Sequence, residues 1–272
     1  MLASLLAVFG VIELQLLGRD SENARRVAES EYQASVSSSK AIQAHKQRQE
    51  AAKKDEEARK KADEAAKTAT TKTPPSIQST GGPHRNPASI DVVVNKKNPL
   101  VPLTYAPSVV TVSCAGQGSI VIATQVNDDL AALCQAAVEA GVPLSASSAY
   151  RSYSYQVTVY NRWVAQSGQA QADTFSARPG YSEHQTGFAI DFSTPGGATL
   201  NNFTGTAQQK WLAANGPSYG FIQRYTEANV ADTGYVAESW HYRYIGRENA
   251  RAYTAAGAIS LERFWGIAGG DY

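Results

Sequence analysis

Asp191 stands inside an apolar run, Gly187-Phe188-Ala189-Ile190-Asp191-Phe192. A carboxylate in such surroundings has to be paired, hydrogen-bonded or bound to a metal, because an unpaired buried charge is expensive. Only four histidines occur in the 272 residues, and two of them lie in short segments that also carry carboxylates. These are Ser182-Glu183-His184, which leads into Asp191, and Glu238-Ser239-Trp240-His241. His184, Asp191 and His241 together offer three metal ligands, with Glu238 three residues before the last. That is the inventory of a catalytic zinc site: three protein ligands, one coordination position for water, and a base to deprotonate it. The Glu238–His241 spacing is not the four-residue helical spacing of HExxH, so a thermolysin-like helix is not implied.

Composition divides the chain before any motif is invoked. Residues 1–89 hold 14 basic and 11 acidic residues and no Trp; residues 90–272 hold 11 basic and 13 acidic, with all four Trp. Net charges of this size give no reason to expect a nucleic-acid partner. The folded part is expected over 90–272, long enough for a single core. Residues 1–17 form an apolar segment, too short and interrupted for a confident span, that reads as an export signal or marginal anchor. Residues 18–72 are charged and Ala-rich, and from 20 onward contain no Gly or Pro, which suits a solvated helical stalk. Ala51, Ala58 and Ala65 recur every seven residues, but a seam of Ala buries little, so a coiled-coil partner is not expected and a monomer is. Residues 73–89, rich in Thr, Pro and Gly, read as a linker. The two cysteines, Cys114 and Cys134, are not in a CxxC pair; one disulfide outside the cytoplasm and two buried thiols are both open readings.

Within 90–272, Val92-Val93-Val94 is a short strand-like run. Asn127 is placed to cap a helix from Asp128 to Ala140, ended by Gly141, with Leu130, Leu133, Cys134, Ala137 and Val138 on one face. Val142 to Ser147 reads as a strand, and Ser154 to Gln166 as a helix with Val157, Tyr160 and Val164 inward. Phe188 to Phe192 reads as a buried strand, Ala207 to Asn215 as a helix stopped by Gly216-Pro217, and Trp240 to Ile245 as a strand. Helices and strands mixed without a βαβ rhythm point to an α+β fold.

Three segments carry a family resemblance: Ser148-Ala149-Tyr150-Arg151-Ser152-Tyr153 with Gln156, Arg178-Pro179-Gly180-Tyr181-Ser182-Glu183-His184 through Asp191, and Glu238-Ser239-Trp240-His241-Tyr242-Arg243-Tyr244. In order and spacing they resemble the VanY-type D-alanyl-D-alanine carboxypeptidases, zinc peptidases that trim peptidoglycan stem peptides. The resemblance covers roughly residues 92–247. It implies a Hedgehog/DD-peptidase-like zinc domain with a small antiparallel sheet and flanking helices. It also implies Zn2+ on His184, Asp191 and His241, Glu238 as the catalytic base, and Arg151 pointing into the site. Ser182, Tyr153 and Gln156 are candidate contacts to the substrate's peptide or terminal carboxylate, and Glu183 is a candidate to support a ligand from behind. Two positions depart from the family pattern. Ala149 stands where Gly is frequent, and Ser239 where Pro is common; neither removes a reactive group. The expected activity is removal of the terminal D-alanine outside the cytoplasm, from a secreted or membrane-tethered protein. L,D-carboxypeptidase and endopeptidase activities are the alternatives within the enzyme class, and a non-catalytic wall-binding protein is the alternative outside it.

Overall fold

The computed structural model describes residues 82–114, 117–197 and 200–272, together with Glu57, Lys61 and Glu64. The apolar segment, most of the expected stalk and the linker up to residue 81 lie outside the described residues; Glu57, Lys61 and Glu64 are helical and exposed. No helix among the described residues is long and apolar enough to cross a membrane.

Strands and helices alternate without repetition. In chain order they are β1 (Val109–Cys114), β2 (Gln117–Ala123), α1 (Asn127–Glu139), β3 (Ser145–Ser148), α2 (Tyr153–Ser167), α3 (Gln169–Ala172), β4 (Ala189–Ser193), α4 (Ala207–Asn215), β5 (Phe221–Tyr225), α5 (Val230–Thr233), β6 (Glu238–Tyr244), α6 (Arg247–Ala255) and α7 (Leu261–Trp265). β1 and β2 form an antiparallel hairpin, and the other four strands form an antiparallel sheet in the order β3-β4-β6-β5. This is the α+β arrangement expected, with a small antiparallel sheet and flanking helices.

β4 is buried along its whole length, which is what an apolar run at the centre of a sheet requires. On α1, Leu130, Leu133, Cys134 and Ala137 are the buried residues, spaced as one helical face. Gly141 follows α1 with φ +72, and its N–H bonds the Val138 carbonyl. Asn127 does not cap α1. The chain enters from a 3-10 turn over Thr124–Val126, so the preceding residue is already helical and leaves no extended position for a capping side chain. The Asn127 amide bonds Asp128 instead. Ser152 does cap α2, accepting from Tyr155 N–H. The inward face of α2 is Gln156, Val159 and Tyr160, with Trp163 edge-on to Phe175; Val157 and Val164 are only half-buried.

Three expected strands shift for identifiable reasons. Val92, Val93 and Val94 are buried at 2% exposure or less but join no sheet. The Arg243 guanidinium takes the Ile90 and Val92 carbonyls, Val92 N–H bonds the Ser89 carbonyl, and Val93 N–H bonds the His84 carbonyl, so these groups find partners outside any ladder. β3 starts at Ser145 rather than Val142, since Pro143 in the intervening stretch has no N–H to give a ladder. β6 starts earlier than expected, at Glu238. The last part of the segment assigned to the linker is docked: His84 stacks on Trp265 with ring centroids 4.7 Å apart and meets Asp91 through its ring nitrogen.

Cys114 and Cys134 form a disulfide that ties the end of β1 to the buried face of α1, across 20 residues. Closing a loop of that length in the unfolded chain is worth about 3 kcal/mol, or roughly 6–12 °C in Tm. A Cys114→Ser/Cys134→Ser variant is expected to melt lower by that amount, as is the wild type under reducing conditions. An unchanged Tm in calorimetry would contradict a stabilising role for the bond.

Candidate active site

Asp191 and His241 reach each other through the sheet. They are directly opposed residues of the antiparallel pair β4–β6, so their side chains lie on one face. His184 arrives from a separate element, a 3-10 turn over Glu183–Thr186 that precedes β4. Gly187 ends that turn in the left-handed region at φ +74, and a Cβ there would sit 2.7 Å from the Ala123 backbone nitrogen. Glycine is therefore required for the chain to turn from His184 into β4.

One ligand atom from each of His184, Asp191 and His241 lies within 4.8 Å of the others, and all three residues are buried. Nδ1 of His184 is hydrogen-bonded to the Ala149 carbonyl at 2.6 Å. Its other nitrogen, Nε2, is buried without a hydrogen-bond partner, with Asp191 Oδ2 3.3 Å away. His241 turns its Nδ1 to Asp191 Oδ1 at 3.0 Å and its Nε2 to Glu183 Oε2 at 3.4 Å. The Tyr225 ring lies against His241 at 4.8 Å. An orphaned imidazole nitrogen, a carboxylate and a second imidazole nitrogen facing one point fit a borderline-soft divalent cation such as zinc.

The electrostatics agree with that fit. Burial, helped by the nearby Arg151 charge, lowers His184 to about 4, which keeps its ring neutral and able to ligate. Burial disfavours a charged His241 as well, but hydrogen bonds to Asp191 and Glu183 outweigh it and raise the ring to about 9. A cation on Nδ1 would take the place of the hydrogen this ring otherwise directs at Asp191. Burial pushes the Asp191 carboxyl up, and the two imidazoles more than reverse this, holding it well below the usual carboxylate range.

Glu238 joins the group because β6 is irregular. Gln223 pairs with Tyr242 and Tyr225 with Glu238, so two steps along β5 span four along β6. Side chains three apart on a regular strand point to opposite faces. The extra residues in this bulge bring Glu238 Oε2 to 3.7 Å from His241 Nδ1. Burial raises the Glu238 carboxyl to about 7, against the pull of His241. A carboxyl with that pKa can both take and give a proton near neutrality.

Arg151 follows β3, its backbone N–H bonded to the His184 carbonyl at 3.1 Å, and its Nε is buried without a partner. Its charge acts on both His184 and Glu238. Gln156 is buried, its amide nitrogen Nε2 donating to the Ala177 carbonyl at 2.8 Å, with its own Oε1 unpartnered. Tyr153 is half-buried at the start of α2. Ser182 is buried just before the His184 turn and makes no capping hydrogen bond from its side chain. Glu183 points at His241 and not at the ligand atoms. The sequence reading missed Arg224, which flanks Glu183 at 2.8 Å. Arg243 meets the same carboxylate at 3.1 Å. Strand alternation could have flagged Arg243, two residues beyond His241 and on the same face; Arg224 lies on a strand that was not anticipated.

The D-alanyl-D-alanine carboxypeptidase family model VanY matches residues 119–247. The chain is 38% identical over 175 residues to the putative carboxypeptidase YodJ of Bacillus subtilis (strain 168), covering 61% of this chain and 64% of that one. It thus spans a little under two thirds of that relative's length. Among solved structures it resembles the LD-carboxypeptidase LdcB, at 35% identity and TM-score 0.61, covering 67% of this chain and 88% of that one. It also resembles a variant of the vancomycin-resistance D,D-pentapeptidase VanY in complex with Zn(II), at 32% identity and TM-score 0.56, covering 65% and 98%. With the His-Asp-His cluster and this coverage together, the chain belongs to the VanY D-alanyl-D-alanine carboxypeptidase family.

Proposed function

We propose that the protein is a zinc-dependent carboxypeptidase that removes the terminal D-alanine from peptidoglycan stem peptides. The observation that carries this is the buried, unpartnered Nε2 of His184 facing Asp191, with His241 Nδ1 and Glu238 beside it. His184, Asp191 and His241 would hold the zinc. When bound, it would supply an activated water at neutral pH and polarise the scissile carbonyl. Glu238 takes a proton from the attacking water and delivers it to the amide nitrogen as the C–N bond breaks, so the D-alanine leaves as a free amine. Arg151, with a fixed charge and a donor fork, stabilises the developing oxyanion or holds the peptide's terminal carboxylate. Ser182, Tyr153 and Gln156 contact the peptide; the unpartnered Gln156 carbonyl is suited to accept a substrate N–H. The Cys114–Cys134 disulfide supports a place outside the cytoplasm, where the wall substrate is found.

The likeness to LdcB favours a second reading, an L,D-carboxypeptidase acting on tetrapeptide stems. Both reactions use the same catalytic groups and release one D-alanine. Mass spectrometry after incubation with purified pentapeptide and tetrapeptide stems separates them. Loss of one alanine from the pentapeptide alone is the expected result; loss from the tetrapeptide alone selects the L,D reading. Release of a dipeptide or cleavage of cross-links identifies an endopeptidase, and two intact substrates would remove both carboxypeptidase readings.

A further inference from the structure

Glu183 is neighbour in sequence to a metal-ligand candidate, yet its carboxylate is committed elsewhere. Oε1 accepts from Arg224 Nε at 2.8 Å and from Arg243 Nη1 at 3.1 Å. Oε2 faces His241 Nε2 at 3.4 Å. The other edge of the Arg224 fork is filled by Glu262 of α7, with Nη1 to Oε2 at 3.0 Å and Nη2 to Oε1 at 2.6 Å. Asn95 Nδ2 donates to the same Glu262 oxygen at 2.9 Å. Glu183, Arg224, Arg243 and Glu262 are each exposed by 4% or less. Two guanidinium groups and two carboxylates balance in charge, and the hydrogen bonds occupy the faces that burial takes from water. Desolvating four ions is costly, and apolar residues would fill the same space at less cost, so stability alone does not account for the quartet. Glu262 also lies beyond residues 119–247, the stretch that matches the family model.

The chemical consequence falls on the two nitrogens of His241. A neutral imidazole has one N–H and one lone pair. An ionised Glu183 only accepts, so Nε2 carries the hydrogen and the lone pair is left on Nδ1, the nitrogen that faces Asp191. The opposite tautomer would set a lone pair against a carboxylate and an N–H towards the cation. We propose that Glu183 is a positioning residue that fixes this tautomer and ring orientation. Glu262 acts one step further back, holding Arg224 so that Glu183 stays aimed at the ring. The inference rests on the metal reading of His184, Asp191 and His241. It makes α7 part of the metal centre's support although none of its atoms reaches the ligands.

The test measures zinc affinity of the full chain by competition with a chromophoric chelator. Glu183→Gln is expected to weaken binding about 10–100-fold, the size usual for losing a hydrogen-bond partner of a ligating histidine. Glu262→Gln is expected to weaken it less, and the double variant no more than Glu183→Gln alone, since both act through one ring. Wild-type protein that binds no zinc sinks the metal reading itself. Wild-type binding with Glu183→Gln within twofold of it sinks the positioning role alone, and independent, additive losses sink the link through Arg224. A measurement on the wild type needs no variant to fold: long-range proton–nitrogen NMR correlations of the zinc-loaded protein are expected to show His241 protonated at Nε2 and ligated at Nδ1. The reverse pattern would overturn the proposal.

Discussion

Glu238→Gln is expected to lower turnover of stem peptides about 10²–10⁴-fold, the contribution general for a positioned acid–base group. Zinc content and folding are expected to be retained. Glutamine has nearly the shape of the carboxylate, so the β6 bulge that carries the side chain has no reason to rearrange. The amide cannot take a proton from water and pass it on. The wild-type carboxyl is already desolvated enough to be raised to about 7, so replacing it with a neutral group relieves a buried charge, and thermal stability is expected to hold or rise slightly. Steady-state kinetics with metal analysis on the same preparation checks this. Turnover within a few-fold of the wild type at full zinc occupancy would remove Glu238 from the mechanism.

Removing the metal is expected to have an effect at least as large. Chelation should abolish release of D-alanine, and zinc added back should restore it; His184→Ala should be inactive and beyond rescue at ordinary zinc concentrations. Two of three donors make a poor site, and the remaining pair, Asp191 and His241, already satisfy each other at 3.0 Å. The same experiment has a readout apart from activity. Zinc at a thousandfold excess over its Kd stabilises the folded state by about 4 kcal/mol, so the Tm of the wild type should fall on chelation. His184→Ala should show no such dependence. Activity indifferent to chelators, or a metal-independent Tm in the wild type, would contradict the assignment of His184, Asp191 and His241.

Much of this site was legible from one dimension. A carboxylate inside the apolar run around Asp191 has few physical explanations, and two of four histidines lying beside carboxylates put a metal site first among them. The buried face of α1 followed from the spacing of Leu130, Leu133, Cys134 and Ala137, because helical periodicity is a local property. The expectations that failed turned on how polar groups are satisfied, by a distant residue in one case and by an adjacent turn in another. Val92 to Val94 looked like a strand, and they are buried as a strand would be, but Arg243, some 150 residues away, takes the carbonyls of Ile90 and Val92. Asn127 looked like a cap, and a preceding 3-10 turn removed the need for one.

The sequence by itself determined which residue types could meet: the candidate ligands His184, Asp191 and His241 and the candidate base Glu238 stand out as charge in apolar context, and Arg151 through the order of the motifs it sits among. Tertiary structure alone decided which nitrogen of each imidazole faces the shared point, how Glu238 comes within reach of His241, and which of the candidate ligands Glu183 faces. Those outcomes depend on the bulge between β5 and β6 and on hydrogen-bond partners drawn from Ala149, Arg224 and Glu262. A side chain's identity fixes what bonds it can make, but only the packing of distant elements fixes which of them it does.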